Sequence, residues 1–159
     1  MVKHYRRSVQ EVELYGPSLF HKVLDKAQEL VKTNRVTERH TPMYHILVVL
    51  TDGNIHDMRH TTDRIVECSP LPLSIIIVGI GDADFTNMEI LDGDEEDDRQ
   101  KLYDSKGEAV QFDIVQFVQF NKFKNEIGQL AEQVLCEVPD QCVNYMSEAR
   151  IKPGDELKK

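Results

Sequence analysis

The sequence predicts an α/β domain with a partial doubly wound, Rossmann-like and mostly parallel sheet, and three observations carry that expectation. Residues 44–50 (YHILVVL), 73–80 (LSIIIVGI) and 114–120 (IVQFVQF) are short, nearly continuous apolar runs rich in β-branched residues, the pattern of strands buried on both faces. Segments before, between and after them repeat apolar residues at helical spacing. The connections from one run to the next are long enough for right-handed βαβ crossovers.

Taken in order, residues 19–31 place Phe20, Val23, Leu24, Ala27, Leu30 and Val31 on one helix face. Ser18, just ahead of them, is an N-cap candidate. The first strand, 44–50, ends at Thr51-Asp52-Gly53. Residues 61–68 form a short helix stopped by Ser69-Pro70-Leu71-Pro72, because proline disfavours helix in the residue before it. The second strand closes on Gly81-Asp82, and 85–91 add a helical turn or two. The acidic run 92–98 reads as a solvated loop. After the third strand, Ile127, Leu130, Ala131, Val134, Leu135 and Val138 mark one face of a long helix, which Pro139 ends or restarts.

Composition removes several classes of function. The 159 residues suit one domain, and 40% hydrophobic residues are enough to build a core. Lys and Arg total 19 against 28 Asp and Glu, a formal net charge of −9, which is the wrong sign for phosphate contacts; no nucleic acid is expected as a partner. The longest apolar runs fall far short of the roughly 18–20 residues of a membrane helix. No secretory leader is readable at the amino terminus, so a cytoplasmic location is the expectation. Cys68, Cys136 and Cys142 show no paired spacing and read as ordinary thiols.

Ligands of an open parallel sheet sit beyond the carboxyl ends of its strands, which directs attention to the residues after Leu50, Ile80 and Phe120. Asp52 and Asp82 lie there. Asp52 could ligate a hard divalent cation, since Mg²⁺ takes carboxylate and hydroxyl oxygens with waters, or could simply shape an Asp-Gly turn. Gly16-Pro17-Ser18-Leu19-Phe20 fails the GxSxG nucleophile elbow at Phe20. Gly79-Ile80-Gly81 lacks the third glycine of a dinucleotide loop, and its neighbouring Asp82 and Asp84 would repel a pyrophosphate. His56 and His60 have the spacing of HExxH without its glutamate, and read as a solvated helix start capped by Asp57. Counted from Asp92, the acidic run has Asp97 and Tyr103 where a calcium loop needs glycine and glutamate.

Three stretches, YHILVVLTDGNIHDM, SPLPLSIIIVGIGDADFTNMEILDGD and DIVQFVQFNKF, resemble in order and spacing the von Willebrand factor A type domain of copines. The similarity covers about residues 5–151 and leaves 152–159 as a polar tail. Ubiquitin ligases of plants carry a related domain beside a RING, whose cysteine and histidine cluster has no counterpart here. The resemblance implies a non-enzymatic module that recruits cytosolic protein partners. It also implies a site for Mg²⁺ or Mn²⁺ built from three loops, onto two of which Ser18 (where the family has Thr) and Asp52 fall. The first metal-binding loop and the first three strands of such a domain have no counterpart, so this strand set is expected to be partial, with an exposed edge along 44–50 and weak metal affinity. The family's calcium-dependent phospholipid binding, and with it recruitment to the plasma membrane, is implied to reside in modules outside these residues.

Overall fold

A computed structural model describes residues 2–13, 15–36, 43–93 and 101–153. Among the described residues, ten elements follow in order: α1 (Val2–Glu11), α2 (Phe20–Val36), β1 (His45–Thr51), α3 (Met58–Cys68), β2 (Leu73–Gly79), α4 (Thr86–Asp92), β3 (Val115–Gln119), a 3-10 turn (Phe120–Lys122), α5 (Ile127–Leu135) and α6 (Val138–Glu148). The strands form one parallel sheet in the order β1-β2-β3, with Leu47 beside Ile75 and Ile77 beside Phe117. The α/β class and the parallel sheet therefore match the sequence pattern. Most of the acidic run, 94–98, and residues 154–159 of the tail lie outside the described residues.

The two faces of the sheet are covered differently. On the first, Leu73, Ile75 and Ile77 of β2 and Val115 of β3 meet Phe20, Leu24, Ala27 and Val31 of α2, Ile65 and Cys68 of α3, and Met88 and Leu91 of α4. On the second, α5 and α6 lie against β3 and β2. There the Ser74 hydroxyl donates to Gln141 Oε1 of α6 at 2.6 Å and lies 2.9 Å from the Tyr44 hydroxyl, so buried polar atoms are paired with one another. All seven residues of β2 are buried, as a central parallel strand between two helical layers requires.

β1 departs from the expectation of burial on both faces. Its burial alternates, and Ile46, Val48 and Leu50 on the second face remain 48%, 53% and 65% exposed. An apolar run reports that a strand can be buried, whereas the helix layer decides where it is: α5 and α6 cover β2 and β3 and stop short of the end strand.

Pro139 restarts a helix rather than only ending one, since it occupies the first turn of α6, where its missing N–H goes unused. Helix α1 buries none of its residues. Val2, Tyr5 and Val9 stand at helical spacing along it and are exposed, a periodicity that the sequence reading did not use.

Asp92, at the end of α4, is an acidic group set against the sheet. Its Oδ1 accepts the Phe117 N–H at 2.6 Å. Burial pushes its carboxyl up to about 7 against that N–H, and the negative charges of Glu137, Asp113 and Glu89 push the same way. Because the folded state holds this proton more tightly than the unfolded chain, the associated stability is present below the ordinary value of 3.8 and is lost as pH rises through about 7. Asp92→Asn keeps the acceptor oxygen without the charge. Urea unfolding should show this variant gaining on the parent chain as pH rises from acidic to mildly alkaline; a constant difference across that window would remove Asp92 as the cause.

Candidate functional site

The carboxyl ends of the three strands carry the loops of interest. After β1, Thr51 is buried and its Oγ1 accepts the Gly53 N–H at 3.1 Å, while Asp52 is exposed and its Oδ1 accepts the Asn54 N–H at 3.2 Å. Gly53 sits at φ +93°, where a side chain is strained, and a Cβ there would lie 3.0 Å from the Phe85 ring and 3.1 Å from the Asp84 carbonyl. Asp52 is thus presented by a turn that only glycine completes. At the end of β2 the same Phe85 ring would lie 2.6 Å from a Cβ on Gly79, so both glycines admit one aromatic wedge that also packs on Phe117.

Ser18 is exposed, one residue too early to cap α2, which begins at Phe20 after Leu19. The cap comes from elsewhere in the chain. Asp57 receives the Phe20 N–H on Oδ1 at 3.1 Å and the His21 N–H on Oδ2 at 2.9 Å, and the His21 ring Nδ1 stands 2.5 Å from the same Oδ2. The His56 N–H donates to the Ser18 carbonyl at 3.4 Å, closing the same junction. The segment following Asp52 and the helix following Ser18 are fastened by one carboxylate that is only 6% exposed.

This arrangement corrects the reading of Asp57 as the side-chain cap of its own helix. Asp57 does occupy the N-cap position of α3, yet its side chain makes no cap hydrogen bond there. A helix N-terminus offers several unpaired N–H groups and partial positive charge, and the start of α2 claims the carboxylate instead. His60 of α3 lies with its ring 5.5 Å from that of His21. Burial works against the charge of Asp57, but the donors from His21 and Phe20 outweigh it and hold its carboxyl below the ordinary 3.8.

Asp82, beyond β2, is exposed and accepts from Asn121 Nδ2 at 2.6 Å; the same nitrogen donates to the Gly81 carbonyl at 2.9 Å. Asn121 therefore ties the loop after β3 to the loop after β2. Asp84 accepts both the N–H and the hydroxyl of Thr86 at the start of α4, at 3.0 and 2.6 Å. The cysteines are free; Cys68 is buried, and desolvation pushes its thiol up to about 11, leaving it unreactive at neutral pH.

Ser18 and Asp52 offer a hydroxyl and a carboxylate, both hard oxygen donors of the kind Mg²⁺ and Mn²⁺ prefer. They suit such an ion in chemistry and fall short in number. Among the described residues, no group of three or more His, Cys, Asp or Glu side chains converges to hold a metal.

A family model described as Copine matches residues 1–154. This chain belongs to the copine family. Copine-C of Dictyostelium discoideum is 37% identical over 154 residues, covering 97% of this chain and 28% of that protein. Copine-A of the same organism is 38% identical over 150 residues (94% and 24%), and Copine-E 39% over 151 (94% and 25%). The chain spans about a quarter of the length of these curated copines.

Asn121, Phe85 and the long-range use of Asp57 were not anticipated from sequence. A signal for the last did exist: a strongly periodic helix preceded directly by Leu19, a poor cap, needs a carboxylate or hydroxyl from elsewhere. Asp57→Asn, which keeps one acceptor oxygen and loses the charge, should destabilise the chain by about 1–2 kcal/mol in urea unfolding at neutral pH. Since the native carboxyl is held low, its contribution is present above 3.8 and lost as pH falls through the lowered value, so the deficit of the variant should shrink in acid. An equal deficit at every pH would show that the charge plays no part.

Proposed function

We propose that this copine segment recruits protein partners and performs no chemistry of its own, with its contact surface at the carboxyl ends of β1, β2 and β3. The observation that supports the reading is the fastening of two loops by Asp57, which keeps the exposed Ser18 and Asp52 on one anchored rim of the sheet. In this reading Ser18 and Asp52 act as two oxygen ligands of a Mg²⁺ or Mn²⁺ ion, and the remaining ligands come from water, partner or further copine polypeptide. The ion would present positive charge to an acidic group of the partner. Catalysis would need a nucleophile beside a base, and among the described residues no hydrogen bond links the Ser18 hydroxyl to the His21 ring.

Calcium-dependent phospholipid binding, in this account, belongs to parts of copines outside the chain, and plasma membrane recruitment follows from those parts. The net charge of −9 disfavours an anionic lipid surface, and no described helix is long and apolar enough to cross a membrane. A cytoplasmic location for the segment accords with both. A second reading, a metal-independent interaction module, is favoured by the exposed apolar face of β1.

Thermal unfolding with increasing Mg²⁺ separates the two, because a ligand bound only by the folded state raises the midpoint. The metal reading expects a rise in the parent chain that Asp52→Ala abolishes. An unmoved midpoint in the parent chain would leave the metal-independent reading in its place.

A further inference from the structure

Helices α2 and α3 pack side by side on the first face of the sheet, and two contacts fix how they align. The ring of His21 stands 5.5 Å from that of His60, and one turn further along both helices the Arg64 guanidinium meets the Asp25 carboxylate at 2.7 Å. Residues 21 and 25 of one helix therefore face 60 and 64 of the other, since side chains four apart share a helix face. This seam runs along the side of α2 opposite to Val23, Lys26 and Leu30, which line the groove against β1. The edge of that strand plays no part in it.

At the head of the seam the His21 ring is held in one orientation. Its Nδ1 lies 2.5 Å from Asp57 Oδ2, and Asp57 also accepts the backbone N–H groups of Phe20 and His21. Those donors keep the carboxyl ionised at neutral pH, and an ionised carboxylate only accepts, so His21 Nδ1 carries the proton. The Nε2 lone pair of the neutral ring is then free. A carboxylate behind one ring nitrogen with the other nitrogen open is the usual setting of a metal-binding imidazole. Among the described residues, neither Nε2 of His21 nor either ring nitrogen of His60 has a hydrogen-bond partner. His60 is exposed and His21 only partly buried, so solvent reaches both.

We propose that His21 and His60 together bind a divalent transition-metal ion of the Zn²⁺ and Ni²⁺ class, with Asp57 positioning His21 and water completing the coordination. Two imidazoles bound at about 2.0–2.1 Å to one tetrahedral ion bring their ring centroids roughly 5 Å apart. The observed 5.5 Å is close to that spacing, and the unpaired His60 is able to turn a nitrogen toward the same point. Asp57, and Asp63 within electrostatic reach of His60, offset the partial positive charge of the two helix starts. Imidazole suits such ions, whereas Mg²⁺ and Mn²⁺ prefer oxygen donors. The site is therefore chemically separate from Ser18 and Asp52, and the inference stands apart from the recruitment reading. An ion held there ties α2 to α3.

Titration of the full chain with Ni²⁺, followed through the NMR signals of its histidine rings, tests the site, because paramagnetic Ni²⁺ broadens the rings that bind it. The signals of His21 and His60 should broaden together and before those of the other four histidines, also in a large excess of Mg²⁺. His60→Phe keeps a ring beside His21 and removes the ligand. It should weaken Ni²⁺ binding at least roughly tenfold, the lower bound when even a ligand's supporting partner is lost. Because His60 is exposed, the variant should keep the parent unfolding midpoint without metal and lose the rise that Ni²⁺ gives the parent. His56→Phe, exposed and four residues earlier, should bind as the parent does. Equal broadening of all the rings, displacement of Ni²⁺ by Mg²⁺, or loss of binding in His56→Phe would overturn the proposal. So would a His60→Phe chain that binds Ni²⁺ at full strength, which would mark the contact between the two rings as packing only.

Discussion

One buried carboxylate sets the geometry at the carboxyl end of the sheet. The first N–H groups of α2 have no intrahelical partners, and Leu19 offers no side-chain acceptor. Asp57, 36 and 37 positions away in sequence, supplies both oxygens to His21 and Phe20. A local cap would have stabilised the helix equally well but would have left it free of the loop after β1. The remote cap joins the start of α2 to the segment that leads from β1 into α3. Phe85 seats the other side of that loop against Gly53 and Gly79, and Asn121 joins the next two loops through Asp82. The rim of the sheet is therefore tied loop to loop by groups that are not themselves candidates for ligation.

Beneath the rim, the sheet is asymmetric. β2 is enclosed on both faces, β3 is enclosed by α4 on one side and α5 on the other, and β1 is enclosed on one face only. The stability of a parallel sheet rests on two-sided burial, at roughly 25 cal/mol per Å² of apolar surface removed from water. Ile46, Val48 and Leu50 do not receive that contribution within the described fold. Their exposure, the free backbone edge beside them and the groove along α2 are three aspects of one unfilled surface.

Much of this architecture could be read from the chain. The helix face of α2, the strands β2 and β3 and the punctuation at Pro70 and Pro72 follow from patterns within a few residues, which is the range over which periodicity and propensity act. The exposed edge of β1 followed from the resemblance, but the exposure of its second face was not readable, because an apolar run is the same whether that face meets a helix or solvent. The role of Asp57 escaped for a related reason: a hydrogen bond across 36 residues leaves no periodic trace, and proximity to α3 offered a simpler explanation. Ser18 and Asp52 were nominated through resemblance and turn chemistry, and both are exposed. The raised carboxyl of Asp92 comes first from its burial against the sheet and then from Glu137, both products of the fold that local sequence does not display.

Amide hydrogen exchange at Phe20 and His21 addresses the fastening directly, because no helical partner can protect those two N–H groups. In the parent chain they should exchange slowly, and in Asp57→Ala they should become fast while the amides of Ile75, Ile76 and Ile77 stay protected. Fast exchange at Phe20 and His21 in the parent chain, or protection that survives Asp57→Ala, would contradict the account.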